Sequence, residues 1–153
     1  MNNNLIKKNV FITGSSSGIG FGLAKKYFDQ GYEVIICSKN IKKLKSASKI
    51  LNNCFYVQAD LSKENEIKKA IKKIKIKLGK LDILICNYGN SNFKKNNLDF
   101  YHAFNNNFFS SVNTINHAMP ILKKNTGKII CISSICAIEA IKDAPIAYSV
   151  AKS

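Results

Sequence analysis

Asn9-Val10-Phe11-Ile12-Thr13-Gly14-Ser15-Ser16-Ser17-Gly18-Ile19-Gly20 is the stretch that decides the fold. The first five residues are a short apolar run of strand character. Gly14 to Gly20 is a glycine-rich turn, followed by apolar residues at helical spacing: Ile19, Leu23, Tyr27 and Phe28. Gly31 stands where a helix C′ glycine belongs. The glycines have separate uses. One permits the tight turn, one lets a pyrophosphate approach the backbone, and one lets helix pack on strand. The helix N-terminus then offers free N–H groups and a positive dipole end to the phosphates. A plain strand-turn-helix connection rich in Gly and Ser is the bland alternative.

Further strand-helix units disfavour that alternative. Strands are expected at 9–13, 33–37, 54–58, 82–86 and 127–132. Helices are expected at 18–30, 40–51, 63–78 and about 98–123, the last with a break near Asn105, and another starts near Pro145. Runs such as Ile83-Leu84-Ile85-Cys86 and Ile129-Ile130-Cys131-Ile132 suit a parallel sheet buried on both faces. Right-handed crossovers from such a start give a Rossmann-type doubly wound α/β fold with strand order 3-2-1-4-5. The expectation is one domain over residues 1–153, without an internal linker. The polar stretch Lys94-Lys95-Asn96-Asn97 is expected at a pocket rim.

Near the end, Tyr148 and Lys152 sit four apart and share a helix face. An ammonium beside a phenol stabilises its phenolate and makes a proton donor that works near neutral pH. The helix carrying the pair is expected to be only about one turn long, too short to nucleate alone.

Composition excludes more than it assigns. The formal net charge is +15, from 24 basic and 9 acidic residues, and every basic residue is Lys. Specific nucleic-acid readers favour Arg for bidentate contacts, so no specific nucleic-acid partner is expected. Lys68, Lys69, Lys72, Lys73, Lys75 and Lys77 alternate with Ile67, Ile71, Ile74 and Leu78, as on a solvated helix face. The five cysteines form no C-x-x-C pair, and His102 and His117 lack ligand-spaced partners. A reducing cytoplasmic setting without a metal site is expected. The N-terminus reads straight into the first strand, so no signal peptide is expected, and no apolar run approaches the ~20 residues of a membrane span.

With these residues in hand, the chain resembles the short-chain dehydrogenase/reductase family. Thr13-Gly14-Ser15-Ser16-Ser17-Gly18-Ile19-Gly20 fits that family's Thr-Gly-x-x-x-Gly-x-Gly. Asp60-Leu61 fits the acid after the third strand, and Asn87-Tyr88-Gly89 fits most of Asn-Asn-Ala-Gly after the fourth. Asn107, Ser134, Tyr148 and Lys152 fall where the catalytic tetrad is expected. Three residues depart from the pattern: Cys86 for the first Asn of that motif, Tyr88 for its Ala, and Ser110 where Gly is common.

The resemblance implies hydride transfer between a nicotinamide cofactor and a carbonyl or secondary alcohol, as in a 3-oxoacyl-thioester reductase. Tyr148 would be the acid, Ser134 would hold the substrate oxygen, and Lys152 would bind the nicotinamide ribose. Asn107 would bend its helix and hold a water that relays protons from Lys152. Gly14, Ser16, Ser17, Gly18, Ile19 and Gly20 would take the phosphates. Asp60 and the Leu61 backbone would take the adenine, with Asn87, Tyr88 and Gly89 along the cofactor. After the second strand, Ser38 replaces the acid that NAD enzymes use, and Lys39 supplies a cation for a 2′-phosphate. That favours NADP(H), with NAD(H) the alternative. Asp60 or Ser62 would also serve to cap the next helix.

A complete family member runs to about 250 residues, within the single-domain range, against 153 here. The chain is therefore expected to be the N-terminal portion of a dimeric or tetrameric parent, with the family's last strands absent. It is expected to be inactive alone and to expose its fifth strand as a sheet edge. Two rival readings stand beside the oxidoreductase: a non-catalytic dinucleotide-binding fragment or sensor, and, on charge alone, a nucleic-acid binder.

Overall fold

The computed structural model describes residues 7–91, 99–124, 126–139 and 141–153. Lys94-Lys95-Asn96-Asn97, expected at a pocket rim, lies outside the described residues. Five parallel strands form one sheet in the order β3-β2-β1-β4-β5. They are β1 (Asn9–Ile12), β2 (Glu33–Ser38), β3 (Phe55–Gln58), β4 (Ile83–Cys86) and β5 (Lys128–Cys131). The helices α1 (Gly18–Asp29), α2 (Ile41–Ile50), α3 (Glu64–Leu78), α4 (Asp99–Phe104), α5 (Ser110–Ala118) and α6 (Ile146–Lys152) connect or follow them. The expected architecture is therefore present, with no strand end shifted by more than one residue.

The central strands are apolar between their ends because each face has its own cover. Phe11, Ile35, Leu84 and Cys86 point to one side, against Leu61, Ile67, Ile71 and Ile74 from α3 and its approach. Val10, Ile12, Val34, Ile36 and Ile85 point to the other, against Ala24, Leu44 and Leu51. Alternation along a strand persists, but both phases are buried, so the run reads as continuous.

The expected helix 98–123 is four pieces. A π-helical turn, Asn105–Phe109, separates α4 from α5, and a 3₁₀ turn, Met119–Ile121, ends the segment. Pro120 near the start of that turn has no N–H to continue an α-helix. A further 3₁₀ turn, Ile135–Ala137, was not legible in the sequence.

At the opposite end of the strands from the glycine turn, Asp82 ties three segments together. Its carboxylate accepts the Asn9 N–H at 2.8 Å and pairs with Lys123 at 2.6 Å. Burial pushes the Asp82 carboxyl up, but Lys123 and the Asn9 N–H outweigh that and hold it below the usual carboxylate range.

Two features concern the last third of the chain. All four residues of β5 are exposed, with Ile129 and Ile130 at 40% and 37%, so β5 is an open sheet edge. The α6 helix corrects the expected single turn. It runs for seven residues, and Ala147 and Ala151 pack against Ala103 and Phe104 of α4. Small side chains four apart let the two helices approach closely.

Candidate active site

The strands are parallel, so their C-terminal ends lie together, and the segments leaving them carry the glycine turn, Lys39, Asp60, Asn87 to Gly89 and Ser134, while Asn107 sits on the π turn and Tyr148 and Lys152 on α6. Gly14 and Gly18 have φ of +63° and +57°, which suits glycine. A Cβ on Gly20 would collide with Asn87 Nδ2 and lie 2.5 Å from the Gly14 carbonyl. Ser15 is buried, donating to the Ile12 carbonyl at 2.6 Å and accepting the Cys37 N–H at 2.9 Å, which pins the turn to β2. Ser17 is the N-cap of α1 and makes no side-chain cap bond. The Phe21 N–H bonds the Ser17 carbonyl, so the N–H groups of Gly18, Ile19 and Gly20 precede the helical ladder. Nothing lies within 4 Å of where a Gly18 Cβ would stand. That turn can hold an anion.

Asn87 has a positioning part. Its Nδ2 donates to the Thr13 and Gly14 carbonyls at 2.9 and 3.2 Å, and its N–H bonds Thr13 Oγ1 at 2.9 Å. Thr13 Oγ1 also accepts the Tyr88 N–H at 3.0 Å. These bonds fix the loop after β4 to the glycine turn.

At the sheet's other edge, Ser38 accepts the Asn40 N–H at 3.3 Å, and exposed Lys39 has its carbonyl held by Gln58 at 3.0 Å. Lys39, Gln58, Asp60 and Glu66 border an open cleft of about 500 Å³. Neither Asp60 nor Ser62 caps α3, whose N-cap is Lys63 without a side-chain bond. Instead the Asp60 carboxylate accepts the Ser62 N–H at 3.1 Å and its hydroxyl at 2.8 Å. Glu66 reaches back to the Asp60 N–H at 2.7 Å. Burial pushes the Asp60 carboxyl up, but the Ser62 bonds, Lys39 and Lys63 outweigh it and keep it below the usual range. The Leu61 side chain belongs to the core.

The π turn presents three consecutive asparagines to three different partners. Asn105 donates to the Ser62 carbonyl at 3.2 Å. Asn106 Oδ1 bonds the Tyr88 hydroxyl at 2.9 Å. Asn107 brackets Asn90, accepting its N–H and donating to its carbonyl, each at 3.0 Å. The loops after β3 and β4 are thus tied to one helical segment. Burial and the Asp60 charge push the Tyr88 phenol up to about 12, so it stays protonated and donates to Asn106. The Tyr88 ring packs against the core. Ser110 caps the turn's geometry by donating to the Asn106 carbonyl at 2.7 Å. Sequence reading singled out Asn107 alone; the triplet itself was the only available signal for the other two.

Asn107 and Lys152 converge on Gly89. A Cβ there would strike Asn107 Oδ1 and come within 3.1 Å of Lys152 Nζ. The Lys152 ammonium donates to the Ile132 carbonyl at 3.0 Å. Burial pulls its pKa below the usual lysine range, with Cys131 opposing. The serine doublet divides its work. Ser133 donates to the Lys152 carbonyl at 2.7 Å and so ties α6 to the end of β5. Ser134 accepts the Cys136 N–H at 3.2 Å, which leaves its own proton free to donate. Tyr148 lies one turn before Lys152 on α6 and is half-buried. Among the described residues no group of three or more His, Cys, Asp or Glu could hold a metal ion, and no helix is long and apolar enough to cross a membrane.

A family model described as short chain dehydrogenase matches residues 8–153. The 11-beta-hydroxysteroid dehydrogenase 1A of Arabidopsis thaliana is 32% identical over 144 residues, covering 88% of this chain and 41% of that protein. The 3-oxoacyl-acyl-carrier-protein reductase of Chlamydia muridarum is 28% identical over 148 residues, 90% of this chain and 60% of its own. The chain thus spans about half the length of the curated relatives it matches. Among solved structures, the L-sorbose reductase of Gluconobacter frateurii, complexed with NADPH and L-sorbose, superposes with a TM-score of 0.89. It is 22% identical, and the match covers 95% of this chain and 59% of that one.

Proposed function

The chain belongs to the short chain dehydrogenase family, and on that premise we propose that it is the dinucleotide-binding part of an NADP(H)-dependent oxidoreductase interconverting a carbonyl and a secondary alcohol. The observation that carries this reading is the convergence of Asn107 and Lys152 on Gly89, in the loop that Asn87 bonds to the glycine turn. The nicotinamide, when bound, supplies or accepts the hydride. The turn from Gly14 to Gly20 would receive the pyrophosphate, chiefly on the N–H groups of Gly18, Ile19 and Gly20 that precede the helical ladder. Asp60 and Leu61 meet the adenine, and Ser38 with Lys39 meets the 2′-phosphate. Lys152 holds the nicotinamide ribose. Ser134 donates its free proton to the substrate oxygen, and Tyr148 protonates that oxygen as it becomes an alkoxide. Asn107, locked by Asn90 and Ala103, keeps the Lys152 end in place for a water-borne proton relay.

Three supports favour NADP(H) over NAD(H): the absence of an acid at position 38, the ammonium of Lys39, and NADPH in the L-sorbose reductase structure. The substrate is a small carbonyl or alcohol, and the working protein is a homo-oligomer of the reducing cytoplasm. Residues 1–153 act as one dinucleotide-binding unit. By themselves we expect them to bind cofactor without turnover. Ile146, two residues before Tyr148 on α6, is 73% exposed and Ile138 80%, so this end of the chain is open to water, where hydrogen bonds to a developing charge are weak.

The test has two parts. Fluorescence titration of these 153 residues with NADPH and NADH should show tighter binding of NADPH. Absorbance of NADPH with a panel of ketones should then show turnover for a longer reading frame and none for this chain. Failure of both cofactors to bind would end the reading, and steady turnover by the 153 residues would end its second half.

A further inference from the structure

Cys86 and Cys131 are direct partners in the register of β4 and β5, at the ends of both strands nearest the candidate active site. In-register residues on neighbouring parallel strands project to the same face. Strands lie about 4.8 Å apart, inside the ~4.4–6.8 Å window of Cα separations that a disulfide spans. The two thiols already interact, and both are free. Cys86 is buried under α5, where Ser111 also bonds it, whereas Cys131 is exposed. Lys152 is close enough to feel the Cys131 charge.

We propose that Cys86 and Cys131 form a dithiol modification site that peroxides oxidise to an intrachain disulfide. Exposed Cys131 is the attacking sulfur and buried Cys86 the resolving one. The Cys131 sulfur attacks one oxygen of a hydroperoxide. The O–O bond breaks, the other oxygen leaves as hydroxide or alkoxide and takes up the thiol proton, and Cys131 becomes a sulfenic acid. The Cys86 sulfur then attacks the Cys131 sulfur. The S–S bond forms, the S–O bond breaks, and hydroxide leaves with the Cys86 proton as water. Two thiols lose two electrons, and one peroxide gains them. No large backbone movement is needed, because the strands already hold the two sulfurs side by side. The neighbouring residues give the bond a consequence: Ile132 holds the Lys152 ammonium and Ser133 holds the Lys152 carbonyl. A link at Cys131 therefore restrains the segment that positions Lys152.

The test uses the unmodified 153-residue chain, treated with hydrogen peroxide and digested without reductant. The expected result is an intact mass lower by two hydrogens, a peptide joining Cys86 to Cys131, and full reversal by dithiothreitol. Cys136→Ser should form the same link, and Cys131→Ser should not lose the two hydrogens. The mapping on the unmodified chain stands alone should that variant fail to fold. A Cys131–Cys136 link, a disulfide between two chains, or stable sulfinic acid on Cys131 with Cys86 still free would overturn the proposal. So would a chain left fully reduced.

Discussion

β4 and β5 are neighbours with almost the same text, Ile83-Leu84-Ile85-Cys86 and Lys128-Ile129-Ile130-Cys131. They differ completely in surroundings. Every residue of β4 is buried, and every residue of β5 is exposed. The first has a strand on each side and helices on both faces. The second has β4 on one side only and closes the sheet at an open edge. An apolar run states what a strand can tolerate; its neighbours decide what it receives. The same division runs through the candidate site. Its glycine-turn end rests on β1, buried throughout, although Asp60 follows β3, a partly buried strand at the opposite edge. Its reactive end hangs from β5 and from α6, which two alanines dock on α4.

If that division is functional, the two ends should fail differently. The largest effect is expected at the exposed end. In the longer parent protein, Tyr148→Phe should lower kcat by about 10²–10⁴, as loss of an acid-base group does, and leave NADPH affinity nearly unchanged. An unchanged kcat would break the comparison at its functional side.

The covered half should instead lose stability. Asp82→Ala strands the Asn9 N–H and the Lys123 ammonium at the closed ends of β1 and β4. Removing a charged hydrogen-bond partner of this kind costs about 2–3 kcal/mol, read as a lower urea midpoint with an unchanged slope. The same carboxylate sets the acid limb. Its folded pKa is below the unfolded value of about 3.9, so its contribution is fully present above that pH. It is lost as pH falls through the folded value. Asp82→Asn should flatten the stability loss below about pH 4. An acid limb identical to that of the unmodified chain would remove Asp82 from it.

A smaller effect is expected where the covered half meets the cofactor. Lys39→Ala should weaken NADPH binding about tenfold, as loss of one charge-assisted contact does, and spare NADH. Equal losses for both cofactors would show that Lys39 does not read the 2′-phosphate. The smallest effect is expected at the joint between the halves. Asn106→Ala removes the Tyr88 hydroxyl's partner and should cost about 1 kcal/mol, with a few-fold weaker NADPH binding. A change in kcat without a change in affinity would contradict a positioning role.

Sheet order, the glycine turn and the two-sided core were legible because each is written locally. Glycines mark the turn at residues 14–20, and continuous apolar runs mark strands covered on both faces. What escaped depends on partners far away in sequence. Asp82 falls inside the expected strand 82–86, and nothing local marks it as the carboxylate that meets Asn9 and Lys123. Asn105 and Asn106 read as bland neighbours of Asn107, because nothing local shows that a π turn fans three adjacent side chains toward three loops. The exposure of β5 is not written in its own residues, which resemble those of β4; the expectation of an exposed fifth strand rests on the chain's length against the family's, and the structure bears it out.

The bonds from Asn87 to Thr13 and Gly14 join residues more than seventy positions apart. A chain leaving the ribosome at about 5–20 residues per second therefore carries its phosphate turn unfinished for about 4–15 s before the amide that braces it exists. Long-range pairings of this kind also slow folding from the denatured state. Cofactor present during synthesis can grip the turn only after the fourth strand has docked, which makes dinucleotide capture a late reporter of assembly rather than its seed.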